Sequence, residues 1–121
     1  MDLNLVESGA GRYLAGPAGQ TLLARAESVT ELVSACFSNA TLRLLLYAEN
    51  LPPRFVDLSS GEAGTVLQKL QTYHIRTAIV LDLEQTPHSR FFADMAAEAN
   101  RGRDFHFCAD RESAKRWLFT E

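Results

Sequence analysis

Along the chain, apolar positions recur with a period of two, then with helical spacing, then in short unbroken runs. Leu3 to Glu7 alternates weakly, Ser8-Gly9-Ala10-Gly11 is a turn, and Arg12 to Ala15 resumes with Tyr13 and Leu14. This predicts an N-terminal β-hairpin, ended by Gly16-Pro17-Ala18-Gly19. Thr21 to Ala26 fits either a short extended piece or a connector. Ser28-Val29-Thr30-Glu31 has the spacing of a capping box, in which Ser28 and Glu31 satisfy each other's free N–H groups. Val29, Leu32, Val33, Cys36 and Phe37 then share one helical face, up to Ser38-Asn39. Leu42 to Ala48 is nearly all apolar, as a strand buried on both faces should be.

Pro52-Pro53 punctuates the next loop, and a helix from Gly61 to Tyr73 aligns Ala63, Val66, Leu67, Leu70 and Tyr73. Arg76 to Leu83 is a second apolar strand. The link between the two strands is too long for a hairpin and contains a helix, so the strands should be parallel with a right-handed crossover. Thr86-Pro87 opens a third helix, with Phe91, Phe92, Met95, Ala96 and Ala99 expected inward and Gly102 as its stop. Phe105 to Cys108 is a further strand, and Asp110 caps a last helix through Ala114, Trp117 and Leu118. The order predicts one α/β domain over residues 1–121. Its mixed sheet has an antiparallel hairpin at the front, parallel βαβαβ units behind it, and four helices in all.

Composition narrows the function classes. The 121 residues suffice for one domain and not two, and 46% apolar content supplies an ordinary core. Twelve Lys and Arg against fifteen Asp and Glu, with no basic tract, argue against a nucleic-acid partner. No export signal or bilayer-length apolar run is visible, so the expectation is a cytoplasmic protein with no membrane partner. Cys36 and Cys108 then read as reduced core thiols.

The most informative chemistry lies at Asp57-Leu58-Ser59-Ser60-Gly61, where two hydroxyls and a glycine precede an amphipathic helix. A helix start exposes unpartnered N–H groups and about half a positive charge, which suits an anion or a serine that becomes one by phosphorylation. The plainer reading makes Ser59 or Ser60 a helix cap, with Gly61 and Gly64 allowing close packing. Asp82 ends an apolar strand where ligands gather in parallel sheets. With Glu84, Asp57 and the loop at Asn50 it is expected to share that edge. Two carboxylates there suit Mg²⁺, but such an aspartate more often caps a helix, and no metal or cofactor is expected. Arg101, after Asn100, suits a phosphate or a partner carboxylate, or complements a helix C-terminus, which is preferred. His74, His88 and His106 lack metal-ligand spacing and read as surface residues. The aromatics Phe91, Phe92, Phe105, Phe107 and Trp117 read as core, with Trp117 also suited to an interface.

From Leu42 to Leu83 the succession of strand, loop, Asp-x-Ser-Ser-Gly, helix and strand resembles the sulfate-transporter and anti-sigma-factor-antagonist domain (STAS). In that family the second serine of an Asp-Ser-Ser-Gly segment is the phosphoacceptor. The resemblance puts that role on Ser60, with Ser59 and Gly61 matching and Leu58 standing at the aspartate's place. A wider resemblance rests on Phe55, Asp57, Leu58, Ser60, Gly61, Ala63, Gly64, Leu67-Gln68-Lys69 and Asn100-Arg101-Gly102. These residues resemble the bacterial domain-of-unknown-function family four-one-eight-zero (DUF4180). Val56 departs from an aromatic common there, and Leu81 from a glycine. That family implies no activity.

The expectation is a regulatory or protein-interaction module with a STAS-like fold, a protein partner, and Ser60 as its phosphoacceptor. Its contact surface comprises Asp57, Ser59, Ser60, Gly61, Gly64, Asp82, Asn100 and Arg101. Homo-oligomerisation is open. The alternative is a small phosphate-bearing ligand or nucleotide held at the same corner and flanked by Asp57 and Asp82. No serine or aspartate has a partnered histidine in view, so catalysis is not expected.

Overall fold

A computed structural model describes residues 2–120. Strands β1 (Asn4–Ser8) and β2 (Gly11–Ala15) form the expected antiparallel hairpin, with Val6 opposite Tyr13. Helix α1 (Val29–Ser38) leads to β3 (Arg43–Tyr47), α2 (Glu62–Thr72) to β4 (Arg76–Val80), and α3 (Arg90–Ala99) to β5 (Phe105–Cys108). Helix α4 (Arg111–Leu118) follows. The sheet order is β1-β2-β3-β4-β5, with every pair after the hairpin parallel. Thr21–Ala26 is a connector leading into a short 3-10 turn at Ala26–Ser28.

Stepping in one direction through successive right-handed crossovers puts every connecting helix on the same side of a sheet. The core follows that rule. Leu14, Leu44, Leu46 and Ile79 pack with buried residues of α1, α2 and α3. Leu45, Ala78 and Cys108 point the other way, with Tyr13 and Ala15, against Ala114 and Leu118 of α4. Leu44, Leu45 and Leu46 are all fully buried, which accounts for the unbroken apolar run of β3.

Several local expectations are corrected. Ser28 does not cap α1 through its side chain, because the 3-10 turn before it already holds Ser28 in helical geometry. Helix α3 starts at Arg90 rather than at Thr86-Pro87. The Ser89 hydroxyl caps it by accepting from the Phe92 N–H at 3.1 Å. Phe92 and Ala96 then face the core, and Phe91, one residue round the helix, is 70% exposed. Phe37 and Tyr73 are also exposed and meet edge to face, 5.9 Å between centroids. Strand β4 ends at Val80, and a turn closes at Asp82, whose carbonyl accepts from Gln85 and Thr86. Cys36 and Cys108 are free and buried, and burial pushes both thiols up to about 11.

Candidate functional site

Three successive tight turns build the corner before α2. The Phe55 N–H donates to Pro52 O, Asp57 N–H to Arg54 O, and Ser60 N–H to Asp57 O. Phe55 anchors the loop, buried edge to face on Phe92. Ser59 and Ser60 lie in a 3-10 turn one step ahead of the helix, and Gly61 makes the junction at φ +78°. That backbone conformation costs a residue with a Cβ about 1–2 kcal/mol. The hydroxyls therefore stand outside the first turn of α2, where the sequence pattern had set them.

The side chains of Asp57, Ser59 and Ser60 are all hydrogen-bonded within this corner. The Ser60 hydroxyl donates to Arg54 O at 2.8 Å and accepts from the Glu62 N–H at 3.2 Å, closing the head of α2. Asp57 Oδ1 accepts from both the hydroxyl and the N–H of Ser59, at 2.7 and 3.1 Å. Its Oδ2 pairs with the Arg54 guanidinium at 2.9 Å. The Ser59 hydroxyl and then Arg54 hold the Asp57 carboxyl below its ordinary range. Glu62 Oε2 accepts from the Arg54 N–H at 3.0 Å. Arg54 and Glu62 thus complete the corner, and sequence reasoning missed both. Their signal was a cation in the loop and an acid in the first helical turn, flanking the serines.

The other expected residues lie elsewhere. Gly64 lines a groove of about 600 Å³ between α2 and α3. Asp82 and Asn100 line a cavity of about 340 Å³ beyond β4 and β5. The Asp82 carboxylate accepts from the Glu84 N–H, and the Asn100 side chain binds the backbone of Phe107. Arg101 makes an exposed ion pair with Glu98 at 3.1 Å. Asp57 lines neither cavity. The loop at Asn50 is a buried lock: its amide donates to Pro17 O and Gln20 O and accepts from the Tyr47 N–H, all at 2.7–2.8 Å.

The model of the domain of unknown function DUF4180 matches residues 9–118. The chain belongs to the DUF4180 family. No curated protein and no solved structure matches it. The matched span runs from the hairpin turn to the end of α4, so it encloses the whole corner. Within this DUF4180 domain, Phe55, Asp57, Ser60 and Gly61, which carried the resemblance, meet at one place.

A second cluster of the DUF4180 domain escaped sequence reasoning. His106 is half-buried rather than on the surface and stacks on Trp117, 5.2 Å between centroids and 15° between planes. The Arg76 guanidinium lies 4.2 Å over the same indole and donates to Trp117 O. Arg43 does likewise at Leu118 O, 3.0 Å, and over Phe119. Two arginines at neighbouring strand starts therefore hold the last carbonyls of α4, where a cation complements the helix dipole. Burial, then the nearby Arg76 charge, pushes the His106 pKa down. Chemically this cluster is a clamp. The serine corner instead offers a hydroxyl, that of Ser60, at the head of α2.

Proposed function

We propose that this DUF4180 domain is a protein-interaction module whose contact surface is the Asp57–Gly61 corner, switched by phosphorylation of Ser60. One observation carries the reading: the Ser60 hydroxyl bridges Arg54 O and the Glu62 N–H at the head of α2. A kinase would transfer a phosphoryl group from a nucleoside triphosphate to Oγ, and the hydroxyl proton would leave. The bond to Arg54 O would then lose its donor. About −1.5 to −2 charges would appear at the favourable end of the helix, beside the Asp57 and Glu62 carboxylates. Arg54, paired with Asp57 in the unmodified corner, is the nearest cation able to change partner. The corner thus has two electrostatic arrangements for a partner to distinguish. The STAS resemblance supports the same serine. The switch requires a cytoplasmic setting, and among the described residues no helix is long and apolar enough to cross a membrane.

The test is affinity capture from the native host's lysate with wild type, Ser60→Ala and Ser60→Asp as baits, with phosphate mapped on the recovered wild type. Phosphate on Ser60, together with a partner whose recovery differs between the variants, supports the switch. Equal recovery across the three baits with no phosphate on Ser60 returns this residue to a structural turn.

A further inference from the structure

Helix α3 leaves apolar surface that its own chain does not cover. Phe91 is 70% exposed, and Met95 follows it one turn on, at the spacing that places side chains on one side of a helix. Met95, Ala99 and Gly102 form one wall of the 600 Å³ groove, α2 forms the other, and Phe105 lies between them. Gly64 on the α2 wall is unexplained within one chain. A Cβ there would touch nothing within 4 Å, its φ is ordinary, and glycine is less favourable than alanine in a helix.

Charge placement indicates the occupant. Arg90 and Asp94, exposed beside Phe91, form no ion pair among the described residues. Arg101, seven residues after Asp94 and so on the same side of the helix, makes an exposed pair with Glu98, and Asp104 lies past the helix end, accepting from Gln71 of α2. Laying one α3 antiparallel on another brings Asp94 toward Arg101 of the second copy, so that the exposed Glu98–Arg101 pair exchanges for one between copies. A two-fold axis makes each contact twice. The same register brings Phe91 to the end of the opposing groove, beside Gly102 and Phe105.

We propose that two copies of this chain pair through this face, α3 against α3, each seating Phe91 in the other's groove. The glycine at position 64 leaves room for that approach. This surface is separate from the serine corner, and the inference stands whether or not Ser60 is modified.

Sedimentation equilibrium of the full chain over a wide concentration range tests it, with circular dichroism confirming that each variant is folded. Wild type is expected to form a reversible dimer, and Phe91→Glu to raise its dissociation constant at least about thirtyfold, as loss of a buried aromatic anchor does. Asp94→Arg should weaken the dimer, and adding Arg101→Asp should restore it. Gly64→Ala should weaken the dimer while raising the melting temperature of the dilute monomer. A monomer at every concentration overturns the proposal. So does a dimer indifferent to both Phe91→Glu and Asp94→Arg.

Discussion

Asn50 shows how much one side chain can hold. Two of its three bonds join the loop after β2 to the loop after β3, the third ties it to the end of β3, and its backbone carbonyl also accepts from Leu22 and Leu23. Gly16 sits so close that an added Cβ would press on the amide oxygen. Asn50→Ala takes the partner from one N–H and two carbonyls in a part-buried setting, so chemical denaturation should show a loss of about 2 kcal/mol. His106 gives a pH signature. Its pKa is pushed below 6.5 in the folded chain, so as pH falls the unfolded chain takes up the proton first. Its contribution is complete above that value and is lost on the acid side. His106→Gln should flatten the fall in unfolding midpoint as the pH drops below 6.5. A slope unchanged by the substitution refutes the assignment. Neither role was legible from spacing. Asn50 reads as a loop polar residue, and His106 alternates with Phe105 and Phe107 as a surface residue would. Only α4, packing on that side of the sheet, makes the position half-buried.

Elements came through best where their signal is periodic. Helix α2 buries Ala63, Val66, Leu67 and Leu70 as its spacing implies. Ends were harder, because a cap depends on the backbone arriving in the right geometry. Ser28 arrives already helical, whereas Ser89 arrives extended and caps α3. The free edge of β5 shows the same dependence. Asn100 accepts from the Phe107 N–H at 2.7 Å, covering a ladder position that a further strand would otherwise use. Asn100→Ala should speed amide exchange at Phe107 about tenfold for each 1.4 kcal/mol lost, with little change at Thr77 in β4. Protection at Phe107 equal to wild type would remove Asn100 from that role.

The whole molecule is lopsided: three helices cover one face of the sheet and α4 alone covers the other. Leu118 and Leu70 are both fully buried, one on each side. Truncation of either to alanine should lose about 2–5 kcal/mol. The exchange patterns should differ. Leu118→Ala should release all of α4 together, since no second helix braces it. Leu70→Ala should leave α2 held by its neighbours. Similar local exchange in both variants would count against this division.

The sequence by itself determined the α/β class, the hairpin, the parallel units and the family, because these follow from period, turn chemistry and crossover length. It also brought Asp57, Ser59, Ser60 and Gly61 together, since residues within one five-residue stretch need no folding to be neighbours. The tertiary structure decided the rest. It drew Arg54 and Glu62 into the serine corner and set Asp82 and Asn100 on a cavity that the corner residues do not line. It buried Asn50, half-buried His106 and left Phe91 in solvent. Periodicity records which side of an element is apolar. What that side meets depends on loop paths and on the rotation of each helix, which packing settles between residues far apart in the chain.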